Sequence, residues 1–550
     1  MEKIYYADFE TTKMDKDGRV RVYLWAIVSG EFEKYGYSLN SFMDYLHTIK
    51  GIIFFHNLKF DFSYIFPYLI KNNISYKLLE KNDVIYSVKF FNVDLRDSLN
   101  FLPMELKKVG EDYCNVYKKT SIDYNVDYNH RATRVEVSYC INDCRVVEEG
   151  LGVYISSLEN VLRTAGATES AGKVWKKLTN AGIAFEAFKE LSDFEEGCPK
   201  TTKQEYDLIR EAYRGGYVYS RPNGIMTDIQ MIDCNSMYPY MYSTIDMPYG
   251  RAYECESEDD CLKYKFFIIG IKAKYNLKPG YIPIIGGGFG RFGSILYKSS
   301  SGFEEEVLVL AKQDFELIKK FYDIEYSFLW GVGYNTQEKF FKRYADTFIV
   351  VKNREKGVRR EVAKVLLNSP YGKLAENGFE EILNYFLDEE GKVSKEVVGY
   401  KLEEDRFNYL PMAIAITASA RYYLLTTAEG IGFDNVYYMD TDSIKYRNVP
   451  VPFKFDSNTL GAWKDEGRPQ LFKTVAPKKY GYYDGEKIHF KCAGFNRKTL
   501  QAELKDGEKV SYDEAKQLLT MFDKGLALNC LQSHLAIGGR ALIPVKKEIK

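Results

Sequence analysis

The sequence predicts an α/β protein built of several domains. Its 550 residues exceed what one hydrophobic core supports. The first third alternates β-rich runs with helical patterns, as a sheet covered by helices requires. Hydrophobic residues make up 45% of the chain and aromatic residues 15%, a globular composition, and no apolar run approaches membrane-spanning length. The first six residues lack a signal-peptide pattern, so the expected setting is cytosolic, with no membrane partner.

In chain order, residues 3–9, 51–55 and 84–93 read as strands, and 58–71 and 135–149 as helices. Residues 245–339 mix short strands with Gly-rich loops. Within them Gly286-Gly287-Gly288-Phe289-Gly290 lacks the strand-to-helix context of a nucleotide fingerprint and reads as a flexible connector. Residues 340–372 read as a helical pair, and 379–407, centred on Asp388-Glu389-Glu390-Gly391, as a hairpin insertion. No internal repeat or low-complexity tract interrupts this order.

Lysine plus arginine number 76 against 77 acidic residues, which excludes a protein that coats nucleic acid by bulk charge and leaves room for a local basic groove. Such a groove is foreshadowed between 352 and 373, where Lys352, Arg354, Lys356, Arg359, Arg360, Lys364 and Lys373 face only Glu355 and Glu361 in sequence. Nine cysteines without a C-x-x-C pair point to neither a disulfide framework nor a zinc cluster. Cys140 and Cys144 share a helix face and read as packing residues.

Val436-Tyr437-Tyr438-Met439-Asp440-Thr441-Asp442-Ser443-Ile444 sets two carboxylates at i and i+2 at the tip of an apolar run, hence on one face of extended backbone. Alone, such a turn is more often a solvated loop than a site for Mg²⁺ or Mn²⁺. Asp233, closing the strand-like run Met231-Ile232-Asp233-Cys234 before Asn235-Ser236-Met237-Tyr238-Pro239, supplies a third carboxylate. Arg360, Lys364, Asn368 and Tyr371 recur at helical spacing as one stripe, opposite Val362, Val365, Leu366 and Leu367. A cationic stripe ending in an aromatic suits a triphosphate and its base. Pro370 is expected to kink or end that helix near Ser369.

The N-terminal third repeats the carboxylate pattern. Asp8 and Glu10 share a face of the first strand, Asp61 follows Asn57 in the first turn of a helix, and Tyr139 and Asp143 stand at i and i+4 on another. Four carboxylates from separate elements can hold two ions, one activating water and one stabilising the leaving oxygen of a phosphodiester. The series D-x-E, N-x-x-x-D, Y-x-x-x-D resembles the Tyr-bearing DEDD class of proofreading exonucleases. The resemblance implies that Asp8, Glu10, Asp61 and Asp143 bind metals and that Tyr139 orients the attacking water. It further implies that Thr11, His56, Asn57 and Phe60 grip the 3′-terminal nucleotides, with Ser98, Leu99 and Lys119 as further single-strand and scissile-phosphate contacts.

The later motifs, D-x-x-S-x-Y-P, K-x-x-x-N-S-x-Y-G and Y-x-D-T-D-S, resemble those of B-family DNA polymerases. Tyr213-Arg214-Gly215-Gly216, Thr417 to Arg421, Lys478-Lys479-Tyr480 and Lys491-Cys492-Ala493-Gly494 are similar to segments of the phage protein-primed, phi29-like branch, and the likeness spans essentially the whole chain. It implies an RNase H-like 3′-5′ exonuclease domain (1–165) before a right-hand polymerase. The latter comprises palm (166–244 and 409–508), fingers (340–378), thumb (509–550) and two terminal-protein-region insertions (245–339 and 379–408).

By the same likeness Asp233 and Asp442, with the Cys234 carbonyl and, less directly, Asp440, hold two Mg²⁺ or Mn²⁺ ions. Lys352, Arg360 and Lys364 neutralise the dNTP, Tyr238 excludes a 2′-hydroxyl, and Tyr371 covers the nascent pair beside Asn368. Tyr213, Gly215, Gly216 and Ser236 fall at DNA-binding positions, Lys478 and Tyr480 touch the minor groove, and Thr417 and Arg421 hold the template or the backbone near the site. The implied partners are primer-template DNA, single-stranded DNA, dNTPs and a terminal protein acting as primer. The implied enzyme is a monomer or a heterodimer with that protein, processive and strand-displacing, replicating a linear phage genome in the cytoplasm of an infected bacterial host. Three rival readings are a nucleic-acid-primed polymerase, a nuclease whose polymerase-like half only binds DNA, and a non-enzymatic DNA-binding factor. The last predicts a basic chain without paired carboxylates, contrary to the sequence.

Overall fold

The computed structural model describes residues 2–549 except 124, 193, 287–296, 377, 404–407 and 524. A seven-stranded mixed sheet organises the N-terminal third. Its order is Phe32–Gly36, Val22–Ser29, Ile4–Thr11, Gly51–Phe55, Val93–Asp97, Val84–Phe90 and Lys77–Lys81. Ile4–Thr11 runs antiparallel to Val22–Ser29 and parallel to Gly51–Phe55. Gly51–Phe55 is buried along its whole length, as a strand covered on both faces must be. Strand alternation sorts the cover: Tyr6, Ile52 and Phe54 pack into a core with helix Arg134–Thr164, whereas Tyr5, Ala7, Ile53 and Phe55 pack with helix Leu58–Lys71. Asp8 and Glu10, in phase with Tyr6, therefore emerge on the Arg134–Thr164 face.

Two expectations are revised here. Residues 84–93 form not one strand but Val84–Phe90 and the start of Val93–Asp97, reversed at Phe91, whose φ is 49°. The helix expected over 135–149 continues to Thr164 because Gly150 does not break it. A Cβ there would lie 2.4 Å from Val109 Cγ1, so the glycine is a packing notch between helices. That helix begins in a capping box formed by Thr133 and Glu136.

A second, five-stranded sheet has the order Trp463–Gly467, Ile229–Cys234, Ser443–Arg447, Val436–Asp440 and Val218–Ser220, antiparallel throughout. Helix Leu410–Ile431, buried without a break from Leu410 to Arg421, lies in the core beside it. The segment expected to hold short strands instead forms a four-stranded sheet with strands as long as Phe266–Leu277 and Tyr322–Gln337. Gly287-Gly288-Phe289-Gly290 of the expected connector lies outside the described residues.

The helical pair is present as Lys342–Arg354 and Gly357–Asn368. Val362, Ala363, Leu366 and Leu367 form the buried stripe, with Val365 only half-buried at its margin. The hairpin is present as Phe379–Leu387 with Val393–Leu402; Phe407 of its expected span is not among the described residues. All nine cysteines are free thiols.

Two hairpins reach back to the N-terminal unit. Tyr385 donates to Glu80 at 3.0 Å, and Lys395 pairs with Glu80 and Asp83. At the C-terminus, the tip between Ala527–Ala536 and Gly539–Glu548 is clipped on by backbone: Val20 N–H donates to the Ile537 carbonyl, and Ile537 N–H to that of Gly18, each at 2.9 Å. Gly538 makes this approach possible, since its φ is +91° and a Cβ would lie 2.6 Å from the Val20 carbonyl oxygen. Gly538→Ala is expected to weaken this contact by about 1–3 kcal/mol. Hydrogen exchange should then quicken at the Val20 and Ile537 amides while those of Ile229–Cys234 stay protected.

Candidate active sites

The N-terminal carboxylates converge in a cleft of about 210 Å³ lined by Asp8, Glu10, Asp61, Tyr139, Asp143 and Lys119. The four acids come from three rigid supports, one strand and two helices. Asp8 and Glu10 are carried by the strand Ile4–Thr11, which is paired on one side at Asp8↔Ala26 and on the other at Tyr6↔Phe54. Asp61 sits in the first turn of Leu58–Lys71, whose N-cap Asn57 is left-handed (φ 73°) and makes no side-chain cap of its own. Asp97 supplies the cap from the neighbouring strand, accepting from the Asn57, Leu58 and Leu99 amides at 2.9–3.0 Å. Tyr139 and Asp143 stand one turn apart on Arg134–Thr164, and Lys119 Nζ reaches both, 2.6 Å from Tyr139 Oη and paired with Asp143 Oδ2.

Burial pushes the carboxyl of Asp8 up to about 8 and that of Glu10 up to about 9; the charges of Asp143 on Asp8 and of Asp8 on Glu10 add to it. Burial likewise raises Asp61 well above the carboxylate range, and raises Asp143 against the opposing pull of Lys119. One ammonium cannot balance four carboxylates. Asp143 Oδ1 is moreover buried without a hydrogen-bond partner. An orphaned carboxylate oxygen facing three more acids fits a divalent-cation site with hard oxygen donors.

The second cluster is built at the tip of a hairpin. Asp440 ends one strand opposite Ser443, and Ser443 in turn pairs with Asp233 on the neighbouring strand. Thr441 turns the chain with φ 57°. Three backbone bonds pin the turn: Thr441 N–H to Tyr217 O at 2.9 Å, Cys234 N–H to Asp442 O at 2.7 Å, and Asp442 N–H to Asp440 O at 2.6 Å. Gly216 admits the Thr441 side chain, because a Cβ there would lie 2.5 Å from Thr441 Oγ1. Burial, then the charge of Asp233, lifts Asp442 to about 6, and burial raises Asp233 as well.

Asp440 is the more exposed acid. It accepts from Tyr438 Oη at 3.3 Å and lies 3.8 Å from Lys478 Nζ, at the edge of a cleft of about 560 Å³ that also exposes Tyr480 and Lys491.

Lys445 was not foreseen. It lies on the same sheet face as Asp233 and Asp440, paired with Met231 and Tyr438, is 6% exposed, and packs 5.8 Å beneath the Tyr480 ring. Burial lowers its ammonium, and the nearby Asp233 and Asp442 hold it up. A lone lysine in a strand reads as a solvated residue, so sequence offered no signal for it.

The helical pair brings its cations to this sheet. Lys352 Nζ contacts Asn235 Oδ1 at 3.1 Å and Ser236 Oγ at 2.9 Å; burial, then Arg360 and Lys364, lower its ammonium. Arg360 and Lys364 are exposed, and Asn368 donates to the Lys364 carbonyl at 2.9 Å. The helix ends at Asn368–Ser369, as Pro370 led one to expect, so Tyr371 opens the next single turn instead of continuing the stripe. Its ring still arrives, stacked on Tyr238 with centroids 4.2 Å apart.

Other residues are placed differently from their expected contacts. Ser98 is fully buried, its hydroxyl bonded to His56 Nδ1 and to the Phe55 carbonyl, and so faces no open groove. His56 lines the cleft but spends both nitrogens internally, the second on the Met104 carbonyl at 2.9 Å; burial lowers its pKa to about 4. Thr417 is buried and bonds its own helix at the Ala413 carbonyl. Arg421 is buried too, paired in bidentate fashion with Asp314 and donating to the Arg214 and Gly215 carbonyls. Of its two expected roles, holding the backbone is the one its position allows. Asn57 and Phe60 line the first cleft, Thr11 and Leu99 are half-buried near it, and Tyr213 is half-buried beside exposed Gly215.

The family model for DNA polymerase type B, organellar and viral, matches residues 44–134 and 125–452. The DNA polymerase of Bacillus phage phi29 is 28% identical, with 93% of this chain and 95% of that one covered. That of Bacillus phage PZA is 30% identical, with 87% and 86% covered. Among solved structures, phi29 DNA polymerase complexed with primer-template DNA and incoming nucleotides superposes with a TM-score of 0.85 at 25% identity, covering 100% of both chains. The same enzyme complexed with single-stranded DNA gives 0.84. With two carboxylate centres on two sheets and a family model spanning most of its length, the chain belongs to the organellar and viral type B DNA polymerases and is phi29-like.

Proposed function

We propose that this DNA polymerase carries two separate chemistries, template-directed nucleotidyl transfer and 3′-5′ proofreading hydrolysis, and that it starts DNA on a terminal protein. The observation that carries the reading is the pair of carboxylate clusters held by separate sheets, the first gathered in one cleft and the second reaching another through Asp440. In this reading residues 1–165 are the exonuclease, 166–244 and 409–508 the palm, 340–378 the fingers and 509–550 the thumb. The insertions 245–339 and 379–408 meet the terminal protein and the downstream duplex.

At the polymerase centre Asp233, Asp442, the Cys234 carbonyl and, at the primer side, Asp440 would hold Mg²⁺ or Mn²⁺. Bound there, two such ions lower the pKa of the attacking hydroxyl and offset charge on the leaving pyrophosphate. The chain's own part is positioning and electrostatics. Arg360 and Lys364 meet the triphosphate from the exposed helix face, and Lys352 trades its contacts with Asn235 and Ser236 for phosphate oxygens. The Tyr238–Tyr371 stack forms a flat floor that leaves no space for a 2′-hydroxyl and covers the new pair. Lys478 and Tyr480 follow the minor groove, where every base pair presents the same acceptors. Arg421 keeps Gly215 and Gly216 in place, and with them Thr441.

At the exonuclease centre Asp8, Glu10, Asp61 and Asp143 would hold the ions, and Tyr139, with Lys119 against its hydroxyl, orients water at the scissile phosphate. Asn57, Phe60, Thr11 and Leu99 receive the unpaired 3′ end. Primer-template and single-stranded DNA are the nucleic-acid partners, and the setting is the cytoplasm of an infected bacterium.

Three outcomes follow from this assignment. Asp8→Ala with Glu10→Ala is expected to lower degradation of single-stranded DNA on the order of a thousandfold while primer extension persists, and Asp440→Ala to do the reverse. Loss of both activities in each folded variant would refute the two-centre reading.

Stability should also report the ions. The folded chain holds protons at about pH 8 on Asp8 and about pH 9 on Glu10 that the unfolded chain releases near pH 4. Metal-free stability is therefore fullest below pH 4 for these groups and is lost as pH rises towards 9. Added Mg²⁺ should raise Tm by about 2–4 °C more at pH 9 than at pH 6, and Asp8→Asn with Glu10→Gln should erase that difference in a thermal melt.

Incubation with a candidate terminal protein and one labelled dNTP separates protein priming from nucleic-acid priming. A protein-linked nucleotide is expected, and its absence with an active polymerase favours the rival.

A further inference from the structure

Asp233 has two cross-strand neighbours. Ser443 lies opposite it on one side, and Lys464, on the strand Trp463–Gly467, lies opposite it on the other. Residues paired in this way share a face of the sheet, with Cβ atoms about 5 Å apart. Contacts on the other face fix that register. Trp463 pairs with Cys234, is buried and stacks on Tyr423 with centroids 5.7 Å apart, and Asp465 accepts from the buried Gln230 amide at 2.6 Å. Asn235 N–H donates to the Ala462 carbonyl at 2.9 Å where the strand begins. Lys464 is thereby held on the face that carries Asp233, with its side chain 44% exposed.

The charges around it complete the setting. Burial raises Asp233, and Lys445, Lys464 and Lys352, from the two flanking strands and helix Lys342–Arg354, oppose that rise. The ammonium of Lys464 is held up by its bond to Glu466 and by Asp233, and pulled down by Arg360 of helix Gly357–Asn368. Lys352, Arg360, Lys364 and Lys464 thus crowd beside one acid of the polymerase centre, although cations repel one another. Lys464 Nζ is paired with Glu466 Oε1, as Arg360 is with Glu361 at 3.3 Å. Pairs this exposed hold weakly, so a polyanion entering between strand and helices displaces both acids.

We infer that Lys464 is a further ligand of the incoming nucleotide, taking the terminal phosphates of the triphosphate on the side of Asp233 away from the Asp440–Asp442 turn. It exchanges Glu466 for phosphate as Lys352 exchanges Asn235 and Ser236. In the transfer itself the bond from the primer 3′-oxygen to the α-phosphorus forms, and the bond from that phosphorus to the bridging oxygen breaks with its electron pair on pyrophosphate. Lys464 keeps its proton and forms no covalent bond. Because it meets the terminal phosphates and not the reacting oxygens, it binds the nucleotide equally before and during transfer, and its loss should be felt in affinity instead of rate.

The test is single-turnover incorporation of one dNTP by the full-length chain on a paired primer-template in excess Mg²⁺. Lys464→Met is expected to raise the dNTP Kd about tenfold and to weaken inhibition by pyrophosphate in parallel, while the rate at saturating dNTP changes less than about twofold. Lys464→Arg should restore most of the affinity. Glu466→Gln supplies the contrast: freeing the lysine should lower the dNTP Kd by about twofold, whereas two residues that merely held each other would give the same effect from either side. A dNTP Kd unchanged in Lys464→Met at unaltered Tm overturns the inference, as does one that rises equally in Glu466→Gln or a loss confined to primer-template affinity. The inference rests on nucleotidyl transfer at Asp233 and Asp442. Incorporation that survives in Asp442→Ala removes that centre; incorporation lost there, together with an unchanged dNTP Kd in Lys464→Met, removes the role of Lys464 alone.

Discussion

Both centres depend on holding carboxylates close together with only partial compensation from nearby lysines. Two carboxylates about 4 Å apart repel by roughly 4 kcal/mol at an effective dielectric near 20. Free side chains would relax by turning into solvent. Here they cannot, because each rests on backbone fixed from elsewhere. Asp8 and Glu10 lie on a strand bonded on both sides, Asp61 in a turn capped by Asp97, and Asp143 in a helix 31 residues long that starts in a capping box. The polymerase turn is held by Tyr217, Cys234 and the notch at Gly216. In the proposed assignment a divalent cation would relieve the repulsion that this architecture holds in place.

The two centres relieve this problem in different degrees. In the polymerase cluster Lys445 sits beneath the acids and Lys478 beside them, and Asp442 rises only to about 6. In the N-terminal cluster four acids share Lys119, and Asp8 and Glu10 rise to about 8 and about 9. More of the charge there is left for ions to balance.

The carboxylates were legible because their spacing is itself geometry: i, i+2 on a strand and i, i+4 on a helix fix a shared face before any contact is known. The same holds for helix Leu58–Lys71 and for the break at Pro370, where a missing amide has a local effect. What sequence concealed is non-local. Nothing near Asp97 in the chain says that it caps a helix starting at residue 58, and nothing in the run Ser443–Arg447 says that Lys445 faces inward to Asp233. Ser98 and Thr417 sit at motif positions that read as contacts, yet their hydroxyls satisfy buried carbonyls. Nothing local to Gly150 says that it is there for the closeness of Val109.

The pair of Asp314 and Arg421 shows how far such non-local links extend. Asp314 lies on the helix Lys312–Phe321 of the segment between 245 and 339, and it is the bidentate partner of Arg421 at the centre of the buried helix Leu410–Ile431. Arg421 in turn holds the carbonyls of Arg214 and Gly215, and the next residue, Gly216, receives Thr441 of the polymerase turn. Removing the acid would leave a guanidinium buried and unpaired, at a cost of about 3–5 kcal/mol. The core is continuous across this junction, with Phe315 and Ile318 of the insertion packed in one cluster with Ile414, Met439 and Ile444. The segment 245–339 supplies the counter-ion for a buried residue outside it, so the turn at Asp440–Asp442 and this segment stand or fall as one packed unit.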